Sequence, residues 1–352
     1  MFNLTSSKRP AFGLDISQSS LKVMMLEKKS KGALVQGIAY APMPKGAVVA
    51  DAVADEKTFS YVLKQSLEKP QFGRINTRYV VASLPESKSF VRVIQVPLMS
   101  DNEIDGAVPF EAENFIPMPL DQVYMDWQKL GVSGDKINIL IIASPKEFVE
   151  NYLKVLDNAG LKPVALEAES QSCHRALVAE GSKETVLIAD LQAFRSTLVM
   201  VEQGQPQFTS SIPIAGNAFT EGIARALGVS SAKAEEIKRK VGFANTADYP
   251  NIRTSLLPIL TNLGAEIKNV IRFHNERSSV QVAKVLLCGG SARMANVAEF
   301  LNGELADMGV KVELGHPWIN MPNMKKPPLS ETDALGFTKA IGLGLRGLDI
   351  NI

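Results

Sequence analysis

The sequence predicts an α/β protein made of two related domains and a smaller compact module. Apolar strands that end at Asp15 and at Asp190 are each followed by a short polar turn and a second apolar strand. The stretches "VMMLE" and "LVMVE" occupy matching places in these two hairpins, which indicates an internal duplication, with chance similarity as the alternative. A strand-helix-strand-strand-helix order over residues 86–162 predicts the compact module.

The opening segment predicts a sheet with one helix packed on it. Its strands are expected at 11–16, 21–28, 33–40 and 79–84. Between the last two strands, residues 56–68 carry apolar side chains at helical spacing. These side chains are Phe59, Val62, Leu63 and Leu67. The helix is therefore expected to bury one face on the sheet.

The compact module contains two patterns that start helices. Ser100 and Glu103 form a capping-box pattern at the start of a predicted helix that contains Pro109. Ser144 and Glu147 form a second one, with proline at the first helical position. The strands of the module are expected at 90–96, 123–130 and 137–143.

The second half repeats the opening hairpin and then becomes helical. Helices are expected at 218–227, 232–240 and 255–277. The stretch "VAKVLLCGGSARMANVAEFL" predicts a buried strand, a double-glycine turn and a helix that begins directly after the turn. Residues 332–344 predict a packed terminal helix.

Composition excludes several classes of function. The chain has 352 residues, 45% of them hydrophobic, and a formal net charge of +1, which gives no electrostatic basis for binding nucleic acid. Its two cysteines form no disulfide framework, no signal peptide is evident, and the longest apolar run is far too short for a membrane helix. The three histidines are dispersed, which argues against a His/Cys metal site. A cytoplasmic protein is expected.

The two hairpins are candidates for holding a nucleotide phosphate. Asp15 and Asp190 would hold a phosphate-bound Mg²⁺ through water, because magnesium usually keeps several waters. The expected contacts to phosphate oxygens come from Lys22, Ser19, Ser20, Ser196 and Thr197. The alternative for each hairpin is a turn in which Asp and Ser side chains make only local hydrogen bonds.

Two further patterns are candidates for the nucleoside end of such a ligand. Gly289 and Gly290 let a ligand approach the main chain closely, although many α/β turns have glycines for packing alone. Glu235 and Lys238 share one helix face and could hydrogen-bond a ribose and its base. The alternative for this pair is a solvated, charged helix.

In this order, the segments resemble the actin-like ATPase superfamily, and within it the PilM family of type IV pilus assembly proteins, which is related to FtsA. The most specific stretches are "FEAENFIPMPLDQVYMDW" and "PKEFVENYLKVLDNAGLKPVALEAES". The resemblance implies duplicated actin-like (ribonuclease-H-like) domains. The implied divisions are subdomain 1A at 9–85, 163–181 and 329–352, the inserted 1C module at 86–162, subdomain 2A at 182–215 and 282–328, and subdomain 2B at 216–281.

The resemblance also implies roles for individual residues. The Asp15 and Asp190 hairpins correspond to the two phosphate motifs, and the turn with Gly216 and Asn217 to a glycine-rich turn near the phosphates. Glu235 and Lys238 correspond to ribose and adenine contacts. The adenosine motif corresponds to Gly289, Gly290 and Ser291. Glu169 is the residue expected to position a hydrolytic water.

Three positions depart from the family pattern, which has glycine at each of them. The residues are Ser17 in the first hairpin, Gln192 in the second, and Ala215 before Gly216. In each place a side chain partly fills the space through which phosphate oxygens would reach backbone N–H groups. Weakened phosphate binding and weak or absent ATPase activity are therefore expected.

The function implied by the resemblance is that of a cytoplasmic scaffold in the inner-membrane platform of a type IV pilus machine. ATP would be a structural or regulatory ligand with little or no turnover. The implied partners are the N-terminal cytoplasmic tail of a PilN-like membrane protein and other platform proteins, so membrane association would be indirect. A homo-oligomer, an active ATPase that drives assembly, and a sugar-kinase-like enzyme stay open as alternatives.

Overall fold

The strands form two large sheets and one two-stranded ribbon. The computed structural model describes residues 10–30, 32–244, 246–324 and 326–350, so the ends of the predicted segments 9–85 and 329–352 lie outside the described residues. The strands are β1 (Phe12–Ile16), β2 (Ser20–Lys29), β3 (Gly32–Pro42), β4 (Val48–Val49), β5 (Ala52–Val53), β6 (Phe72–Gly73), β7 (Tyr79–Leu84), β8 (Phe90–Pro97), β9 (Val123–Ser133), β10 (Lys136–Pro145), β11 (Lys162–Ala168), β12 (Val186–Leu191), β13 (Ser196–Glu202), β14 (Gln205–Ile212), β15 (Lys284–Cys288) and β16 (Lys311–Leu314).

The α-helices cover both faces of the sheets. They are α1 (Glu56–Glu68), α2 (Asp101–Glu113), α3 (Lys146–Asn158), α4 (Glu169–Leu177), α5 (Gly216–Leu227), α6 (Ser231–Val241), α7 (Ile252–Asn275), α8 (Val297–Glu304), α9 (Glu331–Leu335) and α10 (Thr338–Asp349). Among the described residues, none of these helices combines the length and apolar composition that crossing a bilayer requires.

The two large sheets share one strand order. The first contains β11-β7-β1-β2-β3 and the second contains β16-β15-β12-β13-β14. In both, the strand that carries the aspartate pairs parallel with one neighbour and antiparallel with the other strand of its hairpin. The duplication predicted from the hairpins is thus confirmed by topology, which two unrelated hairpins would not reproduce.

The inserted module extends the second sheet. Its strands β8, β10 and β9 follow β14 in the sheet order, and the junction is the antiparallel pair Phe208–Arg92. On one face of the module, Ile104 and Val108 of α2 pack with Ile139 and Ile141 of β10. On the other face, its residues pack with Ala168 at the end of β11. The module therefore contacts both domains.

The helices and sheets alternate in layers. Helices α1 and α3 pack with β1 on the outer face of the first sheet, and α5 to α8 pack on the outer face of the second. Helices α4 and α10 lie between the sheets, where Cys173 and Ile341 share a core with Met24 and Ile188. Side chains on α4 and α10 are therefore placed between the two hairpins.

Three predicted details are wrong. The second capping box does not form, because β10 continues through Ser144, whose Oγ lies 3.0 Å from Ser89 Oγ. Pro145 stands at the N-cap position of α3 without a capping side-chain hydrogen bond. No α-helix follows the double glycine directly, since a short 3₁₀ turn (Ser291–Arg293) intervenes before α8. The terminal helix is divided into α9 and α10, and the carbonyl of Leu335 accepts a 2.9 Å hydrogen bond from the N–H of Gly289.

Other predicted details are confirmed. The helix at 56–68 and the strand at 79–84 have the predicted bounds. The first capping box is present, and the Glu103 side chain accepts a 2.8 Å hydrogen bond from the backbone N–H of Ser100. Pro109 lies inside α2.

Candidate functional site

The two aspartate hairpins face one another across the gap between the sheets. Asp15 on β1 is directly opposite Lys22 on β2, and Asp190 on β12 is opposite Thr197 on β13. Both aspartates are buried. A cavity between the two hairpin turns is lined by residues of both. The structure therefore brings together the residues that the sequence placed in one phosphate site.

Lys339 of α10 lies at the base of this gap. Its Nζ is 3.0 Å from Oδ1 of Asp15 and 2.5 Å from Oε1 of Glu169, the first residue of α4. The side chain of Lys339 is only 5% exposed. On the rim, Nζ of Lys22 lies 3.3 Å from Oδ2 of Asp15. Both oxygens of Asp15 are therefore paired with lysine ammonium groups.

Burial and charge set the ionisation of this cluster. Burial disfavours the charged form of Lys339, but the carboxylates of Asp15, Glu169 and Asp190 outweigh it and raise the lysine pKa well above its usual value. Burial also opposes ionisation of Asp15, yet Lys339 and Lys22 lower its pKa. Asp15 and Lys339 therefore form a buried ion pair.

The pKa values of the other two carboxyl groups, those of Glu169 and Asp190, are raised. Burial raises the pKa of Glu169 to about 7, and the nearby Lys339 offsets only part of this effect. Burial and the charge of Asp15 raise the pKa of Asp190 against the opposing effect of Lys339. Among the three carboxyl groups, Asp15 is therefore the one whose ionised form Lys339 and Lys22 favour most.

Gln192 occupies the space next to Asp190. Its Nε2 donates a 2.6 Å hydrogen bond to Oδ2 of Asp190. On the other side of this carboxylate, Gly289 has φ +85°, and a Cβ at Gly289 would collide with Oδ1 of Asp190. The glycine therefore lets the double-glycine turn approach the second hairpin closely, while Gln192 fills the adjoining space.

The polar groups of the first hairpin turn form hydrogen bonds with one another. The backbone N–H groups of Ser17 and Ser20 donate to the Ser20 carbonyl and to Ser17 Oγ, at 3.0 and 3.1 Å. Ser17 Oγ also lies 3.3 Å from Ser19 Oγ. The serines therefore make the local hydrogen bonds of the alternative interpretation, whereas Asp15 pairs with the distant Lys339. Ser17, where the family pattern has glycine, is its central hydrogen-bonding residue.

The glycine-rich turn is also closed by internal bonds. The N–H groups of Gly216 and Asn217 donate to the carbonyls of Gln192 and Ala193, at 2.7 and 2.8 Å. Ser196 Oγ donates to the carbonyl of Ile214, at 2.5 Å. The turn and the second hairpin are thus joined to each other through the N–H groups expected to face phosphate.

Glu235 and Lys238 do not form a solvated pair. Lys238 is buried, and its Nζ donates to the Gly216 carbonyl at 3.0 Å and to Thr220 Oγ1 at 2.9 Å. The Nζ group also lies 2.6 Å from Oε2 of Glu235. Burial disfavours the charged lysine and lowers its pKa despite Glu235. The pair joins α6 to the start of α5, beside the glycine-rich turn.

Ser291 is the last of the predicted nucleotide-contact residues on the second domain. Its Oγ lies 3.4 Å from the carbonyl of Gln192, and Gly290 precedes it on the surface. The double-glycine turn, the glycine-rich turn and the second hairpin therefore meet at the Gln192 carbonyl.

The cavity between the hairpin turns is small. It has a volume of about 40 Å³ and is lined by Ser17 and Ser19 on one side and by Gln192 and Thr197 on the other. A water needs roughly 10–15 Å³ of such volume, so only a few waters fit. In this arrangement of the hairpins, the space between the turns is smaller than a triphosphate.

A water-bound Mg²⁺ does not fit this arrangement. Magnesium demands octahedral oxygen coordination and keeps several waters. Asp15 is paired with two lysines, and Oδ2 of Asp190 accepts from Gln192. Within the described ranges, no group of three or more His, Cys, Asp or Glu side chains converges as a metal site.

A protein with paired aspartate hairpins and a shared strand order in its two sheets can be compared with known families. The profile of the family described as type IV pilus assembly protein PilM matches residues 13–348. The chain belongs to the PilM family. The family that the sequence resembled is therefore confirmed.

Individual relatives agree with this membership. The chain is similar to the protein solved as the PilM-PilN type IV pilus biogenesis complex, with a TM-score of 0.80, 27% identity, and coverage of 97% of this chain and 100% of that one. It is 23% identical to the cell division protein FtsA of Bacillus subtilis (strain 168), over 84% of this chain and 70% of that protein. A structure of MreB 5 of Spiroplasma citri bound to AMPPNP has a TM-score of 0.53 at 13% identity, over 95% of each chain, and shows the shared fold. The predicted actin-like fold is confirmed.

Sequence reasoning missed Lys339 in this PilM-family chain. The signal was present: Lys339 is followed by Ala340 and Ile341 in a helix whose residues are otherwise mostly apolar, and a lysine is seldom buried unless it is paired. Glu86, which is buried and accepts a 3.0 Å hydrogen bond from the N–H of Ser170, was also missed. Its position after Pro85 carried no pattern that could have indicated burial.

Proposed function

We propose that this chain is a cytoplasmic scaffold of the inner-membrane platform of a type IV pilus machine, and that it binds the N-terminal cytoplasmic tail of a PilN-like membrane protein. The observation that carries the proposal is the match of the PilM family profile to nearly the whole chain. Membrane association would then be indirect, through this tail. Other platform proteins and a second copy of the chain are further partners of the same scaffold.

The proposed docking groove lies on the surface between the inserted module and the first domain. Strand β9 is the last strand in its sheet, so its outer edge is available for an added strand. Tyr124 on β9 is 47% exposed, and its hydroxyl donates a 3.1 Å hydrogen bond to Glu150 of α3. On the opposite face α3 is anchored by Phe148 and Tyr152 in the first domain's core. An exposed strand edge with apolar side chains beside a rigid helix suits an extended peptide.

A peptide-binding measurement tests the partner. The N-terminal tail of the PilN-like protein from the same genome is labelled, and its fluorescence anisotropy is followed during titration with the full chain. Saturable binding that Tyr124→Glu weakens is expected. The matched control is Leu257→Glu, which changes an equally exposed apolar residue on α7 of the second domain. No binding at high micromolar concentrations of a folded chain would contradict the proposal.

We propose further that ATP is a structural or regulatory ligand with little or no turnover. Glu235, whose side chain is 33% exposed, is held beside the start of α5, and Ser291 adjoins the same turn at the Gln192 carbonyl, which supports nucleoside binding there. The phosphate side is filled by Gln192 and closed by internal hydrogen bonds, which opposes hydrolysis. The active-ATPase alternative needs an open phosphate site and is therefore disfavoured.

ATP binding to nucleotide-free protein tests this second proposal. Calorimetry with a thermal-unfolding check is expected to show weak binding, since a ligand of the folded state raises its stability. Phosphate release at the rates of ordinary enzymes, about 1 s⁻¹ or more, would contradict it. So would an absence of binding at millimolar ATP, whereas the peptide measurement would be unaffected by either result.

A further inference from the structure

Lys339 places a positive charge between the carboxylates of two different elements, β1 and α4. Its Nζ is 3.0 Å from Asp15 of β1 and 2.5 Å from Glu169 of α4, and Asp190 of β12 contributes to the same electrostatic cluster. All of these side chains are buried. The ammonium group is therefore the central cation of the gap between the two hairpins.

A divalent cation cannot share this position with Lys339. Oδ1 of Asp15 and Oε1 of Glu169 are directed at the ammonium group of Lys339 instead of a metal or its waters, and Oδ2 of Asp190 accepts from Gln192. A divalent ion would carry twice the charge of the ammonium group and would be strongly repelled by it at a distance of a few ångströms in this buried site. The hydrated ion also needs room for its waters, and the adjoining cavity measures about 40 Å³.

We propose that the ammonium group of Lys339 replaces the divalent cation at the base of the cleft. The protein then neutralises Asp15, and any phosphate that enters, with a covalently attached cation. A lysine is one fixed point charge with three donors, and it cannot bridge two phosphate oxygens as a metal ion with open coordination positions does. The proposal deepens the nucleotide part of the proposed function, and its test requires neither ATP nor the partner.

The first measurement is direct binding of Mn²⁺, used as a paramagnetic substitute for Mg²⁺. The full chain, free of nucleotide, is titrated, and free Mn²⁺ is followed by electron paramagnetic resonance. No stoichiometric binding to the wild-type chain is expected. Lys339→Met is expected to bind Mn²⁺ measurably more tightly than the wild-type chain, because Asp15 and Glu169 lose the cation that is paired with them. Binding of one equivalent by the wild-type chain would overturn the proposal.

The matched control is Lys22→Met. Lys22 is the other lysine beside Asp15, but its side chain is 16% exposed and it pairs with a different oxygen. This variant is expected to bind no more Mn²⁺ than the wild-type chain. If Lys22→Met and Lys339→Met gained the same Mn²⁺ binding, the specific role of Lys339 would be refuted.

If Lys339→Met does not fold, a second measurement tests the role of Lys339. The affinity of the wild-type chain for ATP is compared in EDTA and in excess Mg²⁺. Equal affinities, within about twofold, are expected, since the internal cation is present in both conditions. A preference of tenfold or more for Mg-ATP would overturn the proposal. If ATP does not bind in either condition, the nucleotide proposal fails, and the wild-type Mn²⁺ titration still tests the role of Lys339.

Discussion

Nε2 of Gln192 donates a 2.6 Å hydrogen bond to Oδ2 of Asp190, across the space that a glycine would leave open in the second hairpin. The same residue's carbonyl accepts from the N–H of Gly216 at 2.7 Å. Gln192 therefore fills the phosphate side of the cleft with its side chain and joins the second hairpin to the glycine-rich turn with its backbone.

Replacing this side chain is expected to strengthen ATP binding. Gln192→Gly would free Asp190 and restore room beside the backbone N–H groups, so we expect a gain of roughly tenfold, equivalent to about 1.4 kcal/mol. Calorimetry at one fixed salt concentration measures it. Gln192→Leu keeps a side chain of similar size but lacks the hydrogen bond to Asp190, so it should not increase the affinity for ATP. An equal gain in both variants would show that occupied space is not what limits binding.

Close packing of α10 predicts a strong effect at Gly342. A Cβ at this position would lie 2.6 Å from the carbonyl carbon of Ser172 on α4, so backbone would have to move. We expect Gly342→Ala to lower the free energy of unfolding by about 1–3 kcal/mol or more. Urea denaturation measures it.

Gly106→Ala is the matched control for this effect. Gly106 lies inside α2, and its Cβ would meet no atom within 4 Å. Alanine there should raise the free energy of unfolding by about 0.5–1 kcal/mol. Equal changes in the two variants would rule out steric contact with α4 as the cause.

The buried Glu169 predicts a dependence of stability on pH. Burial raises the pKa of this carboxyl in the folded chain to about 7 from an ordinary value of 4.5. The folded state then binds more protons than the unfolded state between these values, so stability falls as pH rises. This contribution is fully present below pH 4.5 and is lost as pH rises through about 7. Glu169→Gln removes the titration and should flatten the fall in unfolding free energy, measured by urea denaturation. An unchanged slope would assign the effect to other groups.

The two cysteines should be unreactive in the folded protein. Cys173 and Cys288 are buried, and their mutual hydrogen bond and burial raise the pKa of the Cys173 thiol well above its usual value. Burial likewise raises the pKa of Cys288. Because the thiolate is the reactive form, an aromatic disulfide reagent at pH 8 should modify neither thiol in the native chain and both in guanidinium. Rapid modification without denaturant would show that the space between the sheets opens readily.

Local sequence patterns predicted most of the elements. The apolar spacing of Phe59 and Leu63 located α1, and the pairing of Ser100 with Glu103 located the start of α2, because these signals depend on neighbouring residues only. The same kind of signal failed at Ser144, where strand pairing with β9 continues into the capping pattern as far as Pro145. Long-range pairing decided that boundary.

The sequence by itself determined the duplication, the family and the composition of both hairpins, because strand periodicity, turn residues and substituted glycines are properties of short segments. Only the tertiary structure decided that the module's sheet continues the second domain's sheet through Phe208 and Arg92, and that Lys339 lies between Asp15 and Glu169. Lys339 and Asp15 are far apart in the chain. Their contact depends on α10 being packed between two sheets, and the charge of a buried lysine is stable there only because those carboxylates surround it.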